Sequence, residues 1–235
     1  MCEAVIHVPT PQVLGLCEGR KYSQNGEDGV TLALVASVPD ILHVAVEFGV
    51  GAGTTCCTRV LRDDLDWDYF WFDAEYGGAG VCRAALTAEN IEAEFDAAGV
   101  PQDIGVLAID VDGMDYWLWR ALRRRAAIVI CEYNGYFEGA TAAETVDYSP
   151  AFKWISGTDY FGCTLDGLVR LARARGMGLV YCDKTGTNAF FVRGALGAEP
   201  AAVYRRQARG PAAHLPGAWR LIAPDGEPSG VVVTI

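Results

Sequence analysis

The sequence predicts one α/β domain with a doubly wound, mostly parallel sheet and one antiparallel strand. Strand-like and helix-like segments alternate along the chain, which is the pattern of a parallel sheet flanked by helices. A glycine-rich turn at residues 49–53 joins a continuous apolar run to a helical pattern, as in a βα unit. Around residues 184–187, two apolar runs flank a short glycine-containing turn, and such a hairpin sets one strand antiparallel to the rest.

Three strands and two helices account for the first part of the predicted core. Residues 28–38 read as a helix, and residues 44–48 are a continuous apolar run, typical of a strand buried on both faces. A second helix follows the glycine turn at 54–61. The apolar runs at 69–72 and 81–86 are the second and third strands, the third with a weaker pattern.

The next part of the chain repeats this alternation. Residues 87–98 have an amphipathic helical pattern with Thr87 as the N-cap. The apolar run at 106–111 is the fourth strand, and the run at 127–131 is the fifth. Residues 116–124 lie between them and form the connecting helix.

The last part of the predicted core is less regular. Residues 134–164 contain no clear helix or strand and are rich in Gly, Tyr, Phe and Thr. A helix at 165–175 ends at a glycine. The apolar runs at 179–183 and 189–193 are joined by a short turn and form the closing hairpin.

Residues 194–235 form a C-terminal extension of this domain. The segment is rich in Pro, Gly and Ala until it ends in the apolar run GVVVTI. That run predicts an edge strand or a wrap around the domain. The alternative is a homodimer contact that uses this run and an exposed Trp219.

Charge and composition narrow the classes of partner. The 235 residues include 19 Lys and Arg and 30 Asp and Glu, so the formal net charge is −11. The one tight basic cluster, Arg120 with residues 123–125, is typical of the solvated last turn of a helix. Nucleic-acid binding needs a basic face and is not expected. No apolar run reaches the roughly 18 residues of a membrane helix, so no membrane partner is expected.

The cysteines indicate a reducing compartment. None of the eight forms a C-x-x-C pair, and three histidines accompany them, so a structural zinc site is not expected. Cys131 and Cys182 lie in apolar runs, where a free thiol acts as a small core side chain. No secretory signal pattern is visible at the N-terminus. We therefore expect a cytoplasmic protein with a small-molecule substrate.

The glycine loop, Gly49-Val-Gly51-Ala-Gly53, is the sharpest motif. Glycines let the backbone turn tightly and approach a ligand, and the following helix directs its free N–H groups into the same space. A phosphate loop of the Walker type is excluded because no Gly-Lys-Ser/Thr follows. A dinucleotide fits less well, since Thr54 stands where that fingerprint has Gly or Ala. The alternative is a tight βα turn that binds no ligand.

Two acids next to this loop point to the chemistry of its ligand. Glu47 precedes the glycines, where a carboxylate suits an ammonium or a sulfonium better than a pyrophosphate. Asp73 ends the second strand and is placed to accept hydrogen bonds from ribose hydroxyls, with Glu75 as a substitute.

These features resemble the class I S-adenosylmethionine-dependent methyltransferases. The resemblance covers residues 25–193 and rests on Glu47-x-Gly49-x-Gly51-x-Gly53, Asp73, the strand order and the closing hairpin. It implies a Rossmann-like fold and S-adenosylmethionine as the cofactor, with the loop at the methionine portion and Asp73 at the ribose. A less-studied branch of the family is similar in four motifs: SQNGEDG at 23–29, IDVDGMDYW at 109–117, EYN at 132–134 and NAFF at 188–191.

Three acids stand beyond strands four and five, where parallel sheets bind their ligands: Asp110, Asp112 and Glu132. Asp110 and Asp112 share one strand face, because side chains alternate with period two. With Asp115 the group has the oxygen ligands that Mg²⁺ or Ca²⁺ prefer. The alternative is that Asp112 and Asp115 cap the next helix. We expect no metal and assign Asp110 to the cofactor.

The remaining candidate site residues are assigned either to the cofactor or to the acceptor substrate. Asn25 either caps the first helix or belongs to a lid over the methionine end of the cofactor. We assign it to the residues that bind the cofactor. Asp112 and Glu132 are the candidate general bases, and Tyr133 and Asn134 are expected to orient the acceptor. Aromatic residues of the 133–161 segment are candidates for a substrate wall, whereas Trp71 and Trp119 are expected in the core.

Three functions fit these residues. The first is methyl transfer from S-adenosylmethionine to a small molecule in specialised metabolism. The second uses the same cofactor but reacts at its aminobutyrate chain, for example by cyclisation that releases methylthioadenosine. The third is a non-catalytic nucleoside-binding domain.

Overall fold

The computed structural model describes residues 6–136, 144–155, 158–196 and 218–234. These residues form six helices: α1 (Pro11–Cys17), α2 (Glu27–Ser37), α3 (Arg59–Leu65), α4 (Ile91–Ala98), α5 (Asp115–Ala121) and α6 (Leu165–Ala174). They also form ten strands: β1 (Val44–Phe48), β2 (Asp68–Asp73), β3 (Val81–Arg83), β4 (Asp103–Ile109), β5 (Arg125–Glu132), β6 (Glu144–Val146), β7 (Met177–Cys182), β8 (Asn188–Arg193), β9 (Ala218–Ile222) and β10 (Pro228–Thr234).

Seven of the strands form one sheet in the order β3-β2-β1-β4-β5-β8-β7. The pairs from β3 to β5 are parallel, and β8 is antiparallel to both of its neighbours. The prediction of a mostly parallel sheet with one antiparallel strand is therefore confirmed.

Helices cover both faces of this sheet. Buried side chains of α1, α2 and α3, such as Leu14, Leu34 and Leu61, pack on one face. Buried side chains of α4, α5 and α6, including Phe95 and Trp119, pack on the other. Strand side chains alternate between the two cores, as a doubly wound sheet requires. The expectation that Trp71 and Trp119 are core residues is confirmed.

Several boundaries differ from the sequence prediction. The helix predicted at 87–98 begins at Ile91, and Thr87 is not its N-cap. Thr87 and Asn90 instead exchange hydrogen bonds between side chains and backbone N–H groups, at 2.6 and 3.2 Å, and so form a turn before the helix. Arg124 is not in a solvated helix turn, because it is buried against Glu92 and Asp96.

Strands β9 and β10 of the C-terminal extension form a second sheet with β6, in the order β10-β9-β6. It does not extend the main sheet, since β9 pairs with β6, a strand that the sequence pattern did not predict. Trp219 is 3% exposed and packs edge-on against Tyr160, so the expectation of an exposed Trp219 is wrong. The small sheet lies on the α5 and α6 side, where Tyr116 donates to the carbonyl of Gly226 at 2.7 Å.

No helix in the described ranges combines the length and the apolar character that a membrane crossing needs.

Candidate functional site

The glycine loop runs from the end of β1 towards α3. Gly49 donates its N–H to the Phe72 carbonyl at 3.0 Å, and a Cβ on Gly49 would lie 1.5 Å from the carbonyl oxygen of Asp110. A Cβ on Gly53 would lie 3.0 Å from the ring of Trp71. Both glycines have positive φ, 86° and 73°. The loop is therefore pressed against β2 and against the end of β4.

Gly51, in the middle of the loop, differs from the other two glycines. A Cβ there would meet no atom within 4 Å, and its φ is +54°. The Gly51 N–H donates to the carboxylate of Asp73 at 2.7 Å. Asp73 also accepts from the N–H groups of Glu75 and Tyr76, at 2.8 and 2.9 Å. Asp73, the last residue of β2, therefore holds the loop in place, and the space beside Gly51 is open to a ligand.

Glu47 faces the start of α3. It is 4% exposed and accepts hydrogen bonds from the N–H groups of Cys57 and Thr58, both at 2.8 Å, and from the Thr58 hydroxyl at 2.5 Å. The same hydroxyl accepts from the indole N–H of Trp71 at 2.9 Å. These contacts hold residues 54–58 outside the helix, which is why α3 begins at Arg59 and not at the predicted residue 54.

The carboxyl group of Glu47 is placed to titrate near neutral pH. Burial raises its pKa from 4.5 to about 7, and the hydrogen bonds from Thr58 and Cys57 oppose this rise without cancelling it. Asp110 contributes in the same direction as burial, because a second negative charge nearby disfavours ionisation.

We expect the free energy of unfolding to decrease as the pH rises from about 5 to about 7. In this window folded Glu47 keeps a proton that the unfolded chain has released, so deprotonation opposes folding. Asp115, whose pKa burial raises from 3.8 to about 7, acts in the same direction. Urea denaturation at several pH values would measure the effect. Between pH 5 and 8, the native chain should lose about 2 kcal/mol more than a Glu47→Gln variant. Equal losses would contradict the assignment.

Three carboxylates meet beyond β4 and β5 and form what we call the acidic triad, Asp110, Asp112 and Glu132. One oxygen of each lies within 4.8 Å of the others. Glu132 is 5% exposed, Asp110 is half-buried and Asp112 is exposed. The predicted proximity is present, but its cause is different. The strand ends at Ile109, and a loop in which Asp112 has a φ of 53° brings the side chains together.

Asp115 stabilises this loop, which joins β4 to α5, by accepting hydrogen bonds from its backbone. It is fully buried and accepts from the N–H groups of Val111 and Gly113, at 2.9 and 3.0 Å. Burial raises its pKa, and Asp110 adds to the rise. Asp115 therefore accepts from the loop that precedes α5, and the N-cap residue of this helix is Met114, so the alternative that Asp115 caps it is wrong.

The acidic triad has the donor set of a site for a hard divalent cation. Calcium ligands lie at 2.3–2.6 Å from the ion, so their oxygens can be separated by roughly twice that distance. The spacing within the triad satisfies this limit. An ammonium group or a hydroxyl of a substrate would also find acceptors here. The expectation that no metal binds stays a prediction.

Tyr133 and Asn134 are both buried. The Tyr133 side chain lies beside the thiol of Cys182. The Asn134 amide donates to the carbonyls of Asp159 and Phe161, at 2.8 and 2.9 Å, and so binds the 158–161 segment to the end of β5. In the structure, the Tyr133 side chain packs in the core and the Asn134 side chain binds neighbouring backbone. Their proposed role in orienting an acceptor stays a prediction.

The aromatic segment predicted as a substrate wall forms a connected cluster. Phe161 packs against Tyr136 and Trp154, with ring centroids 6.1 and 5.6 Å apart. Tyr136, Trp154 and Tyr160 are half-buried, so part of each side chain is accessible to a ligand. Phe137 lies outside the described residues.

Asn25 lies just before α2 but does not cap it. The N-cap residue is Gly26, with a φ of 99°. The Asn25 side chain instead donates to Glu27 at 3.1 Å. Asp28 accepts from the N–H groups of three preceding residues, at 2.7–2.9 Å, and so fixes the 21–23 segment: Lys21, Tyr22 and Ser23.

The fold and the site together define a doubly wound α/β protein with a glycine-rich βα loop and a set of acids beyond neighbouring strands. No model of a known protein family matches the chain, and no curated protein matches it.

Proposed function

We propose that the protein is an S-adenosylmethionine-dependent transferase that methylates a small molecule. The observation that carries the proposal is the open space at Gly51, on a loop fixed by Asp73, at the sheet edge that also holds the acidic triad. Ligands of open α/β sheets bind at this edge.

The cofactor chemistry fits the groups that surround this space. S-adenosylmethionine supplies a methyl group bound to a positively charged sulfur. Glycine at position 51 lets a ligand approach the backbone closely. The carboxylate of Asp73 accepts from three backbone N–H groups, and its Oδ2, which accepts only one of them, has a lone pair left for a ribose hydroxyl. Asp110, a member of the acidic triad, gives the region a negative potential that attracts a sulfonium.

The acidic triad supports the transfer step. Glu132 and Asp112 are the candidate general bases that would accept a proton from the nucleophile. Glu132 is shielded from water by burial. Most of the rate enhancement in such a transfer comes from holding the reacting atoms in line and excluding water. The negative triad favours a neutral or cationic acceptor over an anionic one.

The decisive experiment incubates the purified protein with S-adenosylmethionine, first alone and then with the low-molecular-weight fraction of a cell extract. Mass spectrometry identifies all small products. S-adenosylhomocysteine that forms only with the extract supports methyl transfer. Methylthioadenosine formed without the extract would contradict methyl transfer and indicate a reaction at the aminobutyrate chain of the cofactor. Binding without any product would indicate a non-catalytic domain, and no binding would overturn the proposal.

A Gly51→Ala variant is expected to bind S-adenosylmethionine at least ~10-fold more weakly while remaining folded. The new methyl group meets no protein atom within 4 Å, and the positive φ costs only about 1–2 kcal/mol. A large loss of affinity therefore reports a ligand in that space. Titration calorimetry measures it, with Gly176→Ala as the control, since that glycine has φ +72°, open surroundings and a position at the opposite end of the sheet. Equal affinities in both variants would place the cofactor elsewhere.

A further inference from the structure

Two sequence motifs without a role so far meet in the structure. SQNGEDG contributes Glu27, at the start of α2, and NAFF contributes Asn188, the first residue of β8. The amide nitrogen of Asn188 donates to Glu27 Oε1 at 2.8 Å across 161 positions of sequence. Both side chains are buried, 1% and 2% exposed. The pair therefore ties the N-terminal segment to the main sheet.

The same carboxylate holds Asn25. Glu27 Oε1 accepts from the Asn25 amide at 3.1 Å, and Oε2 accepts from the Asn25 N–H at 2.7 Å. Both oxygens of Glu27 accept hydrogen bonds, so the side-chain amide nitrogens of Asn25 and Asn188 face this carboxyl group. The carbonyl oxygen of Asn25 is thereby turned to the opposite side. Asn25 is half-buried, so its orientation matters to whatever lies beside it.

The Glu27–Asn188 pair lies next to the candidate site. In the antiparallel pairing of β5 and β8, Asn188 stands directly opposite Glu132 of the acidic triad. Glu27 also lies near the Cys57 thiol, whose pKa is raised by burial and further by the carboxylates of Glu47 and Glu27. One side of the pair therefore borders Glu132 of the triad, and the other borders Cys57, which lies between the glycine loop and α3.

We propose that Glu27, held by Asn188, is a positioning residue that presents the Asn25 carbonyl oxygen to the ammonium of the cofactor's methionine portion. The inference rests on the proposed function. An ammonium needs acceptors, and a freely turning amide offers it a donor half of the time. Fixing the amide in advance removes that loss, as preorganisation does in general.

The first test compares two acids of the same segment. Glu27→Gln is expected to weaken S-adenosylmethionine binding about 10-fold in calorimetry. The matched control is Glu18→Gln. Glu18 also ties this segment to the β7–β8 hairpin, through the Tyr181 hydroxyl at 2.8 Å and the Lys184 N–H at 2.9 Å, but it has no contact with Asn25 among those of the described residues. If docking of the segment were all that mattered, both variants would lose affinity alike.

The second test separates the effect of the Glu27–Asn188 contact from the effect of the Asn25 amide orientation. Asn188→Asp sets a carboxyl against Glu27 in a buried place, so one of the two must hold a proton to keep the contact. The carboxyl groups of Asp183 and Glu132 also lie beside this pair, and the Cys57 thiol, whose pKa is raised well above its usual value, stays uncharged over this pH range. We therefore expect the melting temperature and the affinity of this variant to recover as the pH falls from 8 to 6.

The double variant Glu27→Gln with Asn188→Asp completes the test. Its new amide can donate to the new carboxylate, which restores the tie, but it turns the Asn25 amide round. We expect a native-like melting temperature with an affinity still about 10-fold low. Full recovery of both would overturn the positioning role. If the native chain itself binds no S-adenosylmethionine, the proposed function fails, whereas native binding with unaffected variants sinks only this inference.

Discussion

Glu132→Gln is expected to bind S-adenosylmethionine as tightly as the native chain and to form product at least ~100-fold more slowly. The substitution keeps the shape of the side chain and removes its capacity to take a proton. Glu132 is the most buried member of the acidic triad, so water does not readily replace it. It also lies at the carboxyl end of β5, beside the edge where the acceptor is proposed to bind.

The measurement compares product formation from S-adenosylmethionine and the same extract fraction for the native chain and the variant. Glu94→Gln, in α4, is the control for a carboxyl outside both the triad and the glycine loop. Asp112→Asn tests the second candidate base. Undiminished turnover in both triad variants would remove general base catalysis from the mechanism. Loss of cofactor binding would instead show that Glu132 supports the structure of the site.

The sequence predicted the fold where the pattern is local. Continuous apolar runs such as Val44–Phe48 identify buried parallel strands, and the glycine turn and the closing hairpin identify their connections. The three-residue strand Glu144–Val146 was missed because its partner, β9, lies more than 70 residues later. A strand this short carries too few residues for alternation to show.

The sequence predicted which residues form the candidate site better than it predicted how these residues are arranged. Asp110, Asp112 and Glu132 converge as expected, but Asp110 and Asp112 lie in the loop after β4 and not on one face of a strand. The contact of Glu27 with Asn188 depends on tertiary packing, and no local pattern encodes it. Likewise, Glu47 was expected to face a ligand, but it accepts from the backbone of Cys57 and Thr58.

Gly49→Ala is expected to destabilise the fold by about 4 kcal/mol or more, the range of the most damaging single substitutions. A Cβ at this position would overlap the Asp110 carbonyl oxygen, at 1.5 Å, and this neighbour is backbone, which cannot move aside as a flexible side chain can. The φ of 86° adds strain. Because the clash pushes on Asp110, the acidic triad would be disturbed as well.

Thermal and urea unfolding would measure this loss, with Gly51→Ala as the control from the same loop. That variant has the same kind of backbone strain but no steric overlap. A large loss of stability at Gly49 with a small one at Gly51 would show that the first glycine serves packing between β1 and β4. The middle glycine would then be the one whose small size serves a ligand. Similar melting temperatures for both variants would contradict the close approach of the loop to Asp110.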